Sequence, residues 1–180
     1  SPHAHARIFG IETAAARAAP GVMGVVTAAD CVADGLDGIT HSAMQIDAID
    51  IKRPGLVNQD GSPTFDQPHL PFARDKARYV GEAVAMVVAE TVARAKDAAE
   101  LIKVDYETLP AVTRQMAALE ADAPVLWEEA PGNVAFDAAL GDRAATDAAF
   151  ESAARVVEAE FVSNRIVNAQ MEPRAAIGEY

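Results

Sequence analysis

The sequence predicts an α+β fold, and three observations carry that reading. Residues 83–89 (AVAMVVA) form a seven-residue run with no charge, the pattern of a strand covered on both faces. A helical period follows at 92–102, and a period of two replaces it at 102–107, so strand, helix and strand succeed one another with almost no loop. Elsewhere helices and strands are mixed without a regular βαβαβα order, which argues against a doubly wound sheet.

The elements are read in order. His5 to Phe9 has strand character. Ile11–Ala19 (IETAAARAA) predicts a short alanine-rich helix, stopped by Pro20-Gly21 because proline cannot donate into a helix and glycine tolerates the turn out of it. Val22–Val26 predicts a strand. Thr27 with Asp30 has the spacing of an N-cap and an acid three residues on, so a short helix through Cys31 should follow and end near Asp34-Gly35.

From Leu36 to about Asp75 proline and glycine punctuate every few residues, and only Met44–Ile51 (MQIDAIDI) alternates as a half-exposed strand. In the run after Gly81-Glu82, Val84, Met86 and Val88 face one way and Ala83, Ala85, Val87 and Ala89 the other. Thr91 caps the next helix, whose buried face should hold Val92, Ala95, Ala99 and Ile102. Ile102, Val104 and Tyr106 then point inward from a strand, with Lys103, Asp105 and Glu107 outward, and Leu109-Pro110 ends the unit. Residues 113–145 read as a connector with a helical turn or two at TRQMAALEA. Thr146 opens a helix to Ala154. Val156–Val162 predicts a strand with Glu158 and Glu160 on its polar side, and Asn164–Ala169 an irregular run.

Composition excludes several functions. The 180 residues carry a net charge of −12, from 15 basic and 27 acidic side chains. No cluster of lysine or arginine forms a phosphate footprint, so neither nucleic acid nor an anionic membrane surface is an expected partner. The longest apolar run is far short of the roughly 20 residues that span a bilayer. One cysteine permits no internal disulfide and favours a reducing, cytoplasmic location.

No residue pattern spells a catalytic or metal centre. His3 and His5 are two apart and would share a strand face, but a metal needs more ligands; solvent-facing histidines on an edge strand are the simpler expectation. His41 and His69 lie in loops without a spaced partner. Cys31 lacks neighbouring Cys or His and reads as a buried helix cysteine. Glu128-Glu129 and the Glu158/Glu160 pair read as solvated acids. No glycine-rich nucleotide loop and no G-x-S-x-G are present. Gly81-Glu82 reads as a bend into the buried strand, with Glu82 serving backbone amides. Met171-Glu172-Pro173-Arg174 offers an internal ion pair or a contact to another domain.

Taken together, the segments SPHAHARI, PGVMGVVTAAD, RYVGEAVAMVVAET, AKDAAELIKVDYETLPAV, DAAFESAARVVEAEF and MEPRAAIGEY are more specific than any one alone. In this order and spacing they resemble the N-terminal part of the molybdenum-bearing large subunit of the xanthine dehydrogenase family, most nearly its aerobic carbon-monoxide-dehydrogenase type. The resemblance is weakest over 36–70 and 113–140. One departure is Ala83, where the family often has proline.

The resemblance implies an α/β-hammerhead domain over 1–112, a connector over 113–145, and the start of the first molybdopterin-binding domain over 146–180, with RYVGEAVAMVVAE as the hammerhead's central strand. It implies oxidative hydroxylation or CO oxidation at molybdenum in a molybdopterin cytosine dinucleotide, with FAD and iron–sulfur clusters on partner subunits. It places the pterin-binding loop, the active-site loop and the catalytic glutamate further along the chain. No catalytic, cofactor-binding or metal residue is therefore expected here, and no bound cofactor. The ragged termini suggest a piece of a longer polypeptide, inactive alone, that self-associates through open strand edges. The alternative is a freestanding hammerhead interaction module without activity.

Overall fold

A computed structural model describes residues 1–36, 38–39, 57–67, 69–163, 171–172 and 175–178. The expected strand Met44–Ile51, His41, the irregular run 164–169 and the pair Pro173-Arg174 lie outside the described residues. The chain divides into two compact units, Ser1–Ala139 and Leu140–Tyr180. No described helix is long and apolar enough to cross a membrane.

The first unit mixes helices with two antiparallel sheets. Strand β1 (Ala6–Glu12) is followed by the one-turn helix α1 (Ala14–Arg17), strand β2 (Val22–Thr27) and helix α2 (Ala28–Ala33). After the long excursion come β3 (Lys76–Ala77), β4 (Ala85–Ala89), α3 (Val92–Ala99) and β5 (Lys103–Thr108). β1 lies between β3 and β5, and β2 pairs with β4. In the first sheet Ala6 faces both Ala77 and Thr108, and a register shift between Ile8 and Gly10 leaves Phe9 outside the ladder.

The predicted helix 11–19 is much shorter than expected. Ile11 and Glu12 belong to β1, where they pair with Val104 and Lys103. Pairing with a long partner strand outweighs the helix preference of a few alanines. The chain leaves α1 through Gly21 at φ +76°, a conformation that glycine adopts without steric cost.

One small core ties the second sheet to its helices. Ala16 of α1, Val25 of β2 and Ala98 of α3 are buried, and Ala19, Val22, Val87 and Ile102 pack against them. Alanines at the contact points let two helices approach the sheet closely. The buried face of α3 thus runs through Ala95 and Ala98 to Ile102, while Val92 and Ala99 are exposed. The expected face is rotated by about one residue, because Ala98 meets Ala16 and Val25. Thr91 caps this helix as predicted, its hydroxyl oxygen accepting from the Arg94 N–H at 3.3 Å.

β4 is not covered on both faces. Val25 opposite Val87 lies on the helix side, whereas Met86 and Val88 on the other side are exposed at 47% and 42%. Nor is it a central strand, since its partner among the described residues is β2 alone. An apolar run records that both faces avoid water; it does not supply the second layer. β5 follows its prediction, with Ile102, Val104 and Tyr106 half-buried and the charged residues between them exposed.

Residues 113–139 are held within the first unit by side-chain and backbone hydrogen bonds. The expected turns at 113–121 are a 3₁₀ segment, Met116–Leu119, and a second one spans Pro131–Asn133. Asn133 sits at φ +56°, accepts from the Leu126 N–H, and donates to the Ala118 and Pro124 carbonyls, each at 3.0 Å. The Phe65 N–H donates to the Ala135 carbonyl, and Gln59 Nε2 to Asp137.

In the second unit, helix α4 (Arg143–Ser152) begins three residues before the predicted start. Asp142, not Thr146, is its cap and accepts from the Ala145 N–H at 2.9 Å. A carboxylate at this position also answers the helix dipole, which a threonine cannot do. Thr146 lies within the first turn and donates its hydroxyl to the Asp142 carbonyl. The predicted strand Val156–Val162 does not form. Those residues are exposed and have no paired strand among the described residues, so nothing takes up a ladder of backbone hydrogen bonds there.

Candidate functional site

The best-organised polar region surrounds the stretch Lys76–Glu82. β3 brings Lys76 and Ala77 alongside Arg7 and Ala6. The chain then turns through Tyr79–Glu82, where the Glu82 N–H meets the Tyr79 carbonyl at 3.3 Å and Gly81 stands at φ +90°. A side chain at Gly81 would strain the backbone rather than clash, since nothing lies within 4 Å of a Cβ there. Glu82 closes the turn from inside, its carboxylate accepting from the Arg78 N–H at 2.5 Å. The Gly81 N–H donates to the Ser1 carbonyl, and the Ser1 nitrogen to the Glu82 carbonyl. The Ala83 carbonyl accepts from buried Ala73.

The Arg78 side chain reaches the other way. Its guanidinium stacks 3.6 Å from the centroid of Trp127, and Nε donates to the Leu126 carbonyl at 3.1 Å. Trp127 in turn meets Phe65 at 5.8 Å between centroids. Beside it the Lys76 ammonium pairs with Glu128. The hydrogen bond from Lys76, together with its charge, holds the Glu128 carboxyl below the usual carboxylate range. This arrangement binds a turn and a connector to one another.

The histidines differ from expectation. His5 is buried, at 4% exposure, and precedes the middle strand of its sheet, not an edge strand. Its Nδ1–H donates to the Pro110 carbonyl at 2.8 Å, and its own carbonyl accepts from Leu109, so it fastens the exit from β5. Nε2 is buried without a hydrogen-bond partner. His3 stacks edge-on against Tyr106, 4.9 Å between ring centroids. His69 bridges Ile39 through the backbone. Among the described residues no three His, Cys, Asp or Glu side chains gather as a metal site. Cys31 is buried in α2. Glu158, Glu160 and Glu172 are exposed.

The capping pair holds as predicted. Asp30 accepts from both the backbone N–H and the hydroxyl of Thr27, at 2.7 and 2.8 Å, and Arg17 approaches it at 3.7 Å. The Thr27 hydroxyl, then its N–H, then the charge of Arg17 depress the Asp30 carboxyl. These groups and Arg74 line a cleft of about 290 Å³ beside the β1 bulge. The sequence offered no sign of that cleft, because Arg74 and Arg17 are distant along the chain. Asp30 and Glu128 have lowered folded-state values, so they contribute stability that is full above the unfolded value of about 4 and is lost as pH falls through the folded values. Urea midpoints should therefore drop more steeply below about pH 4 in the natural chain than in an Asp30→Asn, Glu128→Gln double variant. Equal acid slopes would exclude these two carboxylates as the cause.

Comparison with known proteins decides the family. The family model described as aldehyde oxidase and xanthine dehydrogenase, a/b hammerhead domain, matches residues 1–51 and 43–110. The chain belongs to this family. It is 36% identical over 182 residues to the nicotine 6-hydroxylase large subunit of Paenarthrobacter nicotinovorans, covering all of this chain and 20% of that protein. It is 34% identical over 184 residues to the carbon monoxide dehydrogenase large chain of Afipia carboxidovorans, covering 96% of this chain and 20% of the relative. The crystal structure of the Cu,Mo-CO dehydrogenase superposes with a TM-score of 0.64 at 32% identity, covering 86% of this chain and 18% of that one. The chain thus spans about a fifth of the length of the curated relatives it matches. The hammerhead assignment made from the six sequence segments is correct.

Proposed function

We propose that this chain is the N-terminal scaffold of the molybdenum-bearing large subunit of a molybdenum hydroxylase, of the CO, xanthine or aldehyde dehydrogenase kind. The single observation that carries the proposal is the reach of the similarity. The relative at 36% identity matches the whole chain, through both compact units, and not the hammerhead alone. Residues 1–112 form the hammerhead domain, 113–145 the connector, and 146–180 the first segment of the molybdopterin-binding domain.

In the intact protein molybdenum sits in a molybdopterin cytosine dinucleotide and electrons leave through iron–sulfur clusters and FAD on partner subunits in the cytoplasm. Among the described residues no three His, Cys, Asp or Glu side chains come together to hold a metal ion. No reaction step is assigned to them. Their contribution is to hold β1, β5 and the Arg78 turn as a rigid support.

The test is to follow the reading frame past the codon for Tyr180, purify the full polypeptide with its co-expressed partners, and measure metal and nucleotide. Stoichiometric molybdenum in the full protein, with cytosine nucleotide released on acid hydrolysis, is the expected result. A stop codon directly after Tyr180, or a full-length product that copurifies with no molybdenum, would sink the proposal and leave the freestanding module.

A further inference from the structure

One segment, 126–137, fastens two stretches that lie far before it in the chain, 58–65 and 76–82. At its first end the Arg78 guanidinium stacks on Trp127 and donates to the Leu126 carbonyl, and Lys76 pairs with Glu128. At its other end Asp137 is held three times. Its N–H donates to the Asn58 side-chain oxygen, its carbonyl accepts from the Gln59 N–H, and its carboxylate accepts from Gln59 Nε2, each at 2.8 Å. Between these ends the Ala135 carbonyl accepts from the Phe65 N–H, also at 2.8 Å. Asn58 carries the connection further, since its Nδ2 donates to Ser62 Oγ at 2.9 Å and to the Pro63 carbonyl at 3.0 Å. Trp127 is the shared member, because its ring meets both Arg78 and Phe65.

This fastening differs in kind from the sheets. β1 with β5 and β2 with β4 pair through backbone ladders, and the second pair is backed by the core of Ala16, Val25 and Ala98. No residue of 126–137 belongs to that core, and Ala130 is the one buried residue among them. The segment contains a single 3₁₀ turn and no strand. Few buried apolar contacts and isolated backbone hydrogen bonds place a segment at the low end of local stability. Its contacts are nevertheless linked. If Trp127 swings away, Arg78 and Phe65 lose the same partner, and Phe65 is bonded to Ala135 two residues before Asp137. Contacts that share members in this way couple energetically and break together.

We infer that 126–137 is a strap that opens and closes as one unit over 58–65 and 76–82 while both sheets stay folded. Closed, it pins the end of the long excursion to the turn that leads into β4. Open, it releases both stretches at once and bares Trp127 and Phe65. The inference rests on contacts inside the Ser1–Ala139 unit and is independent of the proposed function.

Native-state hydrogen exchange on this chain at low urea tests it. The amides of Gln59, Phe65 and Asp137 all donate across the strap, and they should share one opening free energy and one urea dependence. They should exchange at least about 10-fold faster than the slowest amides of the two ladders. Three unrelated urea dependences overturn the inference, because the contacts then fray singly. Rates equal to those of the ladder amides overturn it too, because the segment then opens only with the whole unit. Coupling is checked from both ends. Trp127→Ala should speed exchange at Asp137 by about 10-fold, and Asn58→Ala should make Trp127 easier to quench with iodide. Arg7→Ala, which breaks the exposed Arg7–Glu107 pair of the first sheet, should do neither. If Asn58→Ala leaves the quenching of Trp127 unchanged, the two ends are separate contacts and there is no strap. That result decides even where Trp127→Ala fails to fold.

Discussion

Replacing Arg78 by alanine is expected to destabilise the Ser1–Ala139 unit by about 2–4 kcal/mol. The guanidinium lies flat against Trp127 and donates to two backbone carbonyls, Leu126 at 3.1 Å and Lys76 at 3.3 Å. A desolvated cation over an indole contributes up to about 2 kcal/mol. Each hydrogen bond from a charged donor adds about 1.5 kcal/mol or less at these lengths, and the carbonyls left behind are part-buried. Lysine should not rescue the loss, because an ammonium neither stacks as a plane nor forks to two acceptors. Urea unfolding followed by tryptophan emission suits the test, since Trp127 is the sole tryptophan in the chain. Full stability in Arg78→Lys would show that charge alone matters, and a loss under about 1 kcal/mol in Arg78→Ala would remove the clasp altogether.

The contrast between what was legible and what was not follows the range of the interactions. Thr27 with Asp30, Thr91, and the alternation from Ile102 to Glu107 were readable because caps and periods are local. The family assignment was readable because six segments keep their order. Helix 11–19 was overread because pairing of Ile11 and Glu12 with β5 is decided by residues more than ninety positions away. Val156–Val162 was overread because alternation predicts a strand but cannot supply its neighbour. Likewise the run 83–89 announced two apolar faces, and the helices α1 and α3 cover one. The Arg78–Trp127 contact had a faint signal, an aromatic in an acidic connector and an arginine before Gly81-Glu82. Nothing in the spacing joined residues 49 positions apart.

Asn133 is the second pivot, and Asn133→Ala is expected to cost about 2–4 kcal/mol. Its amide makes three bonds: the oxygen accepts from Leu126, and the nitrogen donates to Ala118 and to Pro124. Three bonds of about 1 kcal/mol each are lost, and two carbonyls and one N–H in a part-buried turn lose their partner. The φ of +56° adds a second term, because asparagine tolerates the left-handed region better than alanine. The two terms separate experimentally. Asn133→Gly removes the bonds but relieves the backbone, so it should recover roughly 1 kcal/mol relative to alanine. Asn133→Asp keeps the acceptor for Leu126 and loses both donors, which should place it with glycine or below. Leu126 and Trp127 are adjacent, so loss of Asn133 should also free the indole from Arg78. The expected sign is a red-shifted Trp127 emission and easier quenching by iodide at native conditions. If Asn133→Gly proves as unstable as Asn133→Ala and the emission stays put, the turn does not hold the indole against Arg78, and the clasp stands without it.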